Sequence, residues 1–207
     1  MSKIEKPMLF SGSMVRALLA DLKTQTRRIA KLNCSGRVLG KVGKRKANWH
    51  PDDPDAILAA PHPVGSRVWV KETHVFGEDD RGYYVLFTAT NTRDYSGQEF
   101  MLGNEFDEEH NGFKQTLKKP SIHMPRWASR ITLEITNVRL ERLNEISEED
   151  AKAEGVTILP SAHIAAKVAG DTPARMEYWH LWESINGKGS WEKNPLVFAY
   201  DFKRIKP

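Results

Sequence analysis

Leu18-Leu19-Ala20-Asp21-Leu22-Lys23-Thr24-Gln25-Thr26-Arg27-Arg28 is the stretch from which the fold is read. Met14, Val15, Leu18, Leu19 and Leu22 fall at i, i+1, i+4, i+5 and i+8, one face of a helix. The spacing predicts a helix over Met14 to Leu22, capped by Ser11 or Ser13. Thr24, Thr26 and Arg28 then alternate with Gln25 and Arg27, and period two with two threonines predicts a strand over Thr24 to Ile29. Thr24, Thr26 and Arg28 would share one face, with Lys23 at the corner leaning over it.

A threonine hydroxyl is a poor nucleophile until a base takes its proton. A lysine becomes that base when burial or neighbouring cations lower its pKa, and Arg27 and Arg28 are such neighbours. Arg28 can also steady a developing oxyanion. The same residues equally fit a solvated basic corner, since helix C-termini attract cations.

Further along, Val68 and Val70 alternate with Trp69 and Lys71 after Gly65, and Tyr83 to Thr88 follows a turn, so the pair reads as a hairpin. Glu72 is the second carboxylate of interest there, with an exposed pair to Lys71 as its simpler role. Ile131, Leu133 and Ile135 alternate with Thr132 and Glu134 in another strand, and Pro195 to Phe202 reads as the last. Ser147-Glu148-Glu149-Asp150 opens a short helix that Gly155 stops. Glu154 falls in its last turn, where the dipole disfavours an anion by ~0.3–1 kcal/mol, so that carboxylate wants a cationic partner. Thr172-Pro173 starts a longer helix with Met176, Trp179, Trp182 and Ile185 as its apolar stripe.

Two stretches read as insertions. Asn33 to Pro63 reads as irregular and basic. Its Arg37, Lys41, Lys44, Arg45 and Lys46 suit a phosphate backbone, or simply solvent. Thr90 to Lys119 reads as a long polar excursion. Just after it, His123, Arg126 and Trp127 combine a titratable ring, a fork donor and a stacking surface that could clamp a nucleobase. In the plainer reading, Trp127 is core and Arg126 packs over it.

Composition excludes several classes. The net charge of +4 and pI near 9.1 permit attraction to polyanions without marking a nucleic-acid-coating protein. No apolar run approaches ~18 residues, and the polar Met1 to Lys6 does not read as a signal peptide. Cys34 is the single cysteine, consistent with a reducing cytoplasm and incompatible with the usual zinc-deaminase ligand set. The seven histidines form no H-E-x-x-H, so neither a catalytic metal nor a cofactor is expected.

Lys23-Thr24-Gln25-Thr26-Arg27-Arg28 after an amphipathic helix resembles the G-x-K-x-x-T-x-R signature of the ASCH domain family, of the PUA-like superfamily of small β-barrels. Pro63 to Thr73 resembles the barrel strand that follows, Ile146 to Gly155 the family's later helix, and Val197 to Ile205 its closing strand. The flavour is that of ASCH proteins of bacteriophages and prophages. Asp21 stands where the signature has glycine. The resemblance implies an α+β fold, a small mixed β-barrel flanked by helices, as one domain over 1–207 with insertions at about 33–63 and 90–119. It implies a metal-independent amidohydrolase that frees an N(4)-acylated cytosine or cytidine of its acyl group. Thr26, preferred by the motif over Thr24, would be the nucleophile, Lys23 its base, Glu154 the support of Lys23, and Arg28 the oxyanion partner. Family members also suggest an RNA- or modified-base-binding module, or a ribonuclease. The partner expected is a nucleoside or RNA and not a membrane. Oligomeric state is left open.

Overall fold

The computed structural model describes residues 5–42, 45–79, 81–94, 106–107, 112–113 and 118–205. Lys44, most of the 90–119 stretch and both extreme ends lie outside the described residues.

The chain is mixed α and β. Its largest sheet has five strands: β1 (Glu5–Leu9), β2 (Gln25–Ile29), β5 (Arg67–Lys71), β11 (Thr132–Arg142) and β12 (Leu196–Ile205), in the order β1-β5-β11-β12-β2. Only β1 and β5 run parallel. β1 and β2 end this order, and no ladder joins them among the described residues. β6 (His74–Asp79), β7 (Gly82–Phe87) and β8 (Thr92–Asp94) form a second antiparallel sheet. β9 (Phe106–Asp107) and β10 (Gly112–Phe113) make a two-stranded pair. The main core packs Val15 and Leu18 of α1 (Gly12–Leu19) against Val68, Val70, Leu133, Ile135, Phe198 and Tyr200 of the large sheet. No helix among the described residues is long and apolar enough to cross a membrane.

The first corner forms largely as its sequence dictates. The Ser11 hydroxyl accepts from the Met14 amide and caps α1. The helix stops earlier than its apolar pattern predicts, and Leu22 lies beyond it, two-thirds exposed. Asp21 takes the left-handed conformation, φ 56°, that the glycine of the ASCH pattern would take freely. Its carboxylate is held by Arg204 at 3.0 Å. The backbone then drops into β2, with the Thr24 amide on Ala153 and the Thr24 carbonyl accepting from Phe202.

The basic 33–63 stretch corrects the expectation of an irregular loop. It contains an antiparallel hairpin, β3 (Val38–Val42) with β4 (Arg45–Trp49), and a 3₁₀ helix at Pro54–Ala59 capped by Asp53. The hairpin lies so close on this helix that a Cβ on Gly40 would come within 2.4 Å of the Ala59 Cα.

Helices α2 (Glu148–Ala153) and α4 (Pro173–Asn186) pack beside β2 and β12, and α3 (Pro160–Ala169) packs on α4. In α4 the buried residues are Ala174, Met176, Tyr178 and Trp182. The expected stripe is therefore rotated: Trp179 is half-buried and Ile185 is exposed. Tyr178 and Trp182 pack with Leu143, Ile146 and Val197, which turns the helix toward the end of β2.

Gly155 closes α2 with φ +77°, and a Cβ there would lie 2.8 Å from the Cβ of Lys23 and 2.9 Å from that of Ala17. Gly170, which ends α3 with φ +67°, has nothing within 4 Å of such a Cβ. Gly170→Ala should therefore lose only the conformational ~1 kcal/mol. Gly155→Ala should lose that plus roughly 1–3 kcal/mol of overpacking. Paired denaturant melts check this, and equal losses at the two sites would contradict the close approach.

Candidate active site at the end of β2

Lys23 lies at the corner between α1 and β2 with its side chain fully buried, as is that of Glu154 to within 1%. Its Nζ donates to Glu154 Oε2 at 2.6 Å, to the Glu154 carbonyl at 2.8 Å and to the Gln25 carbonyl at 2.8 Å. Three donors meet three acceptors, the full capacity of an ammonium. Burial pulls the Lys23 pKa below its ordinary value, the Glu154 charge pushes back, and Arg28 and Arg27 add to the lowering. The cationic partner that Glu154 needs at a helix end is thus supplied 131 residues away in sequence.

Arg27 points to the opposite side of β2 from Thr26 and Arg28 and is itself fully buried. Its guanidinium donates to Glu141 at 2.8 Å, Asp150 at 2.8 Å, the Gln25 amide oxygen at 2.6 Å and the second Glu154 oxygen at 3.3 Å. It lies 5.9 Å from the ring centre of Tyr178. Against the desolvation it suffers, Glu154 and Glu141 hold its pKa above the ordinary arginine value. Asp150 also takes Arg139 at 2.7 Å and Gln25 at 3.0 Å. Buried charges survive only when matched in this way.

Thr26 is 1% exposed, and its hydroxyl makes no hydrogen bond among the described residues, with Lys23 or otherwise. It lines a cavity of about 60 Å³ together with Glu154, Arg28, Tyr178 and Trp182. That is room for one or two waters or a group of acetyl size, and too little for a nucleobase. Thr24, the other candidate nucleophile, is exposed just before the strand. Arg28 continues the Thr26 face. Its Nη2 donates to the Leu9 carbonyl at 2.6 Å, its guanidinium is 5.2 Å from the Phe10 ring centre, and its Nε is buried without a partner. Burial lowers its pKa, with Glu154 and the phenols of Tyr178 and Tyr200 opposing.

The other expected residues fall elsewhere. Glu72 is 1% exposed and is neither a rim pair with Lys71 nor part of this site. It accepts both Nε and Nη2 of Arg130, at 2.8 and 2.9 Å, while Lys71 donates to the Ile122 carbonyl. His123 is exposed on a short 3₁₀ turn. Trp127 stacks on Phe76 at 5.4 Å, and Arg126 pairs with Glu5 at 3.0 Å and lies 6.0 Å from the Trp69 ring, not over Trp127. None of the three lines the Thr26 cavity. Arg37, Lys41, Arg45 and Lys46 are exposed on or beside the β3–β4 hairpin, Lys41 directly opposite Lys46. Among the described residues no three His, Cys, Asp or Glu gather for a metal ion.

Tyr178 was not found from sequence. It lies off the expected stripe of α4, and only the tertiary contact with Arg27 reveals it. Burial, and then the neighbouring Glu154 charge, drives its phenol well above the ordinary value, so it remains a donor. Compared with models of protein families, with curated proteins and with solved structures, the chain matches none.

Asp150 gives the network a pH signature. Burial pushes its pKa up, but the Gln25 amide and the Arg27 and Arg139 guanidiniums hold it below the usual carboxylate range. Its folded pKa is thus depressed relative to an unfolded value of ~3.9. Its contribution is fully present above about pH 5 and is lost as pH falls through the folded value. Asp150→Asn should cost about 1–2 kcal/mol at neutral pH. The gap from wild type should narrow below about pH 4. Denaturant melts across that range check the sign, and a gap independent of pH would contradict it.

Proposed function

We propose that this chain is a metal-independent amidohydrolase that removes an acyl group from the exocyclic nitrogen of an N(4)-acylated cytidine. One observation carries the reading: a buried Lys23–Glu154 pair at 2.6 Å ends beside a buried threonine whose hydroxyl is unbonded and lines a cavity with Glu154. Arg28 and Tyr178, both with displaced pKa values, line the same cavity, and displaced titratable groups at a cavity are a mark of acid–base chemistry. The resemblance of Lys23, Thr26 and Arg28 to the ASCH signature supplies the reaction class. The same reading takes the five-stranded sheet as a curled PUA-like barrel whose edges β1 and β2 approach where Arg28 reaches Leu9.

In this mechanism Thr26 Oγ attacks the acyl carbonyl. The ammonium of Lys23 first passes a proton to Glu154 across their short contact, turning the buried ion pair into a neutral one. The amine then turns from Glu154 so that its lone pair meets the Thr26 hydroxyl, takes the threonine proton and delivers it to the departing cytidine nitrogen. Arg28 Nε, which has no partner of its own, donates to the oxyanion. Water then releases the carboxylate from Thr26. The small cavity beside Thr26 suits the acyl end of the substrate and leaves the base outside it.

A second reading, recognition without cleavage, is favoured by one contact: every proton of Lys23 is already donated, so no lone pair faces Thr26. The basic hairpin would then add RNA affinity that falls steeply with salt.

Hydrolysis of N(4)-acetylcytidine with excess chelator separates the two. Chelator-resistant release of cytidine is expected, lost by at least ~100-fold in Thr26→Val and in Lys23→Ala. Thr24→Val should retain it. Turnover surviving in folded Thr26→Val would reject Thr26 as the nucleophile. No turnover in wild type, with salt-sensitive RNA binding, would leave the recognition reading.

A further inference from the structure

We propose that the gap between the two edge strands of the large sheet is a second, larger binding site that takes a nucleoside monophosphate. The nucleotide class rests on the amidohydrolase reading above, whereas the cavity and its unmatched groups do not.

The cavity measures about 320 Å³. This lies at the lower end of small-molecule sites. One wall is β1 from Pro7 to Leu9, the other is Arg28 and Ile29 of β2, and the floor is Phe198 and Tyr200 of β12. The roof is contributed by the 33–63 insertion through Leu39, Ala59 and His62. That roof is built rather than incidental, because the close approach of Gly40 to Ala59 fixes the hairpin on the 3₁₀ helix. Arg28 and Ile29 also line the Thr26 cavity, so the two spaces share a wall.

Apart from Arg28 Nε, which the proposed mechanism assigns to the oxyanion, two polar atoms among the lining residues are buried without a hydrogen bond: His62 Nδ1 and the Tyr200 hydroxyl. The Tyr200 hydroxyl faces the backbone amide of His62 without closing a well-formed bond. His62 is 9% exposed and Tyr200 is fully buried, their rings 5.7 Å apart edge to face. Buried donors and acceptors left without partners are unfavourable. A ligand edge bearing both donors and acceptors, set between apolar walls, would recover that loss, and a pyrimidine edge has this chemistry. Burial, and then Lys6 and Arg28, holds the His62 pKa down to about 4, so the ring is neutral at physiological pH and can donate or accept.

The charge around the cavity indicates the remainder of the ligand. No carboxylate is among its lining residues. Lys31 is exposed on its rim and makes no ion pair among the described residues, while Lys6 donates from the opposite side to the Pro61 carbonyl at 2.7 Å. Base inward and phosphate at Lys31 is the orientation that satisfies both sets of groups.

Titration calorimetry with cytidine monophosphate tests this, alongside cytidine and inorganic phosphate. The monophosphate should bind wild type and Thr26→Val equally, cytidine about 10-fold more weakly, and phosphate alone more weakly still. Leu39→Trp, at a residue 42% exposed on the roof, should weaken monophosphate binding at least ~10-fold with an unchanged melting temperature. His62→Ala should weaken it as well. Absence of monophosphate binding by folded wild type, undiminished binding by Leu39→Trp, or phosphate binding as tight as the monophosphate would each overturn the proposal. Monophosphate binding without hydrolysis of N(4)-acetylcytidine would retire the amidohydrolase reading and keep this site, and hydrolysis without that binding would do the reverse.

Discussion

The fully buried pair of Lys23 and Glu154 is the constraint around which the chain is arranged. Removing two charges from water costs several kcal/mol per ion, and their attraction offsets this only when the remaining protons and lone pairs are also matched. Every nearby feature supplies part of that match. Gly155 lets the end of α2 come against the Lys23 stem, Asp21 turns the chain so that the amine points inward, and the Gln25 and Glu154 carbonyls take the two protons that the carboxylate leaves. A pair of apolar side chains would often be as stable or more so. That this corner holds an ion pair instead is a physical reason to look for chemistry there.

The pair divides β2 into two functional sides. Gln25 and Arg27 face a dense carboxylate network formed by Glu141, Asp150 and Glu154, which fixes the strand against α2 and β11. Thr26 and Arg28 share the other face of the strand, and with Arg27 they line the small cavity toward α4, where Arg28 Nε is left without a partner. A saturated side anchors the unsaturated one. The placement of Thr26, the nucleophile of the proposed mechanism, follows from the salt-bridged arginine one residue along.

Much of this was legible in sequence because it is local. The Ser11 cap, the acids opening α2, the Gly155 stop and the alternation around Thr26 each depend on neighbours a few residues away. The left-handed Asp21 was foreseeable from the tolerance of Asp for that conformation. Glu154 announced its need of a cation by its place at a helix end. What escaped was tertiary. The hairpin at 38–49 was hidden because its glycine marks a close approach to the 3₁₀ helix and not a flexible loop. Glu72 took a distant arginine instead of its sequence neighbour. Tyr178 joined the site because α4 is rotated by packing that its apolar spacing does not encode. His123, Arg126 and Trp127 are close in sequence, yet each follows a different contact.

The central claim is that Thr26 carries the acyl group between substrate and water. Acid quench of a single turnover with N(4)-acetylcytidine, followed by peptide mass spectrometry, tests it most directly. The account predicts one acetyl group on the peptide containing Thr26, localised to that residue and absent in Lys23→Ala. Turnover with no acetylated peptide, or with the acetyl group on Lys23 or Thr24, would contradict it.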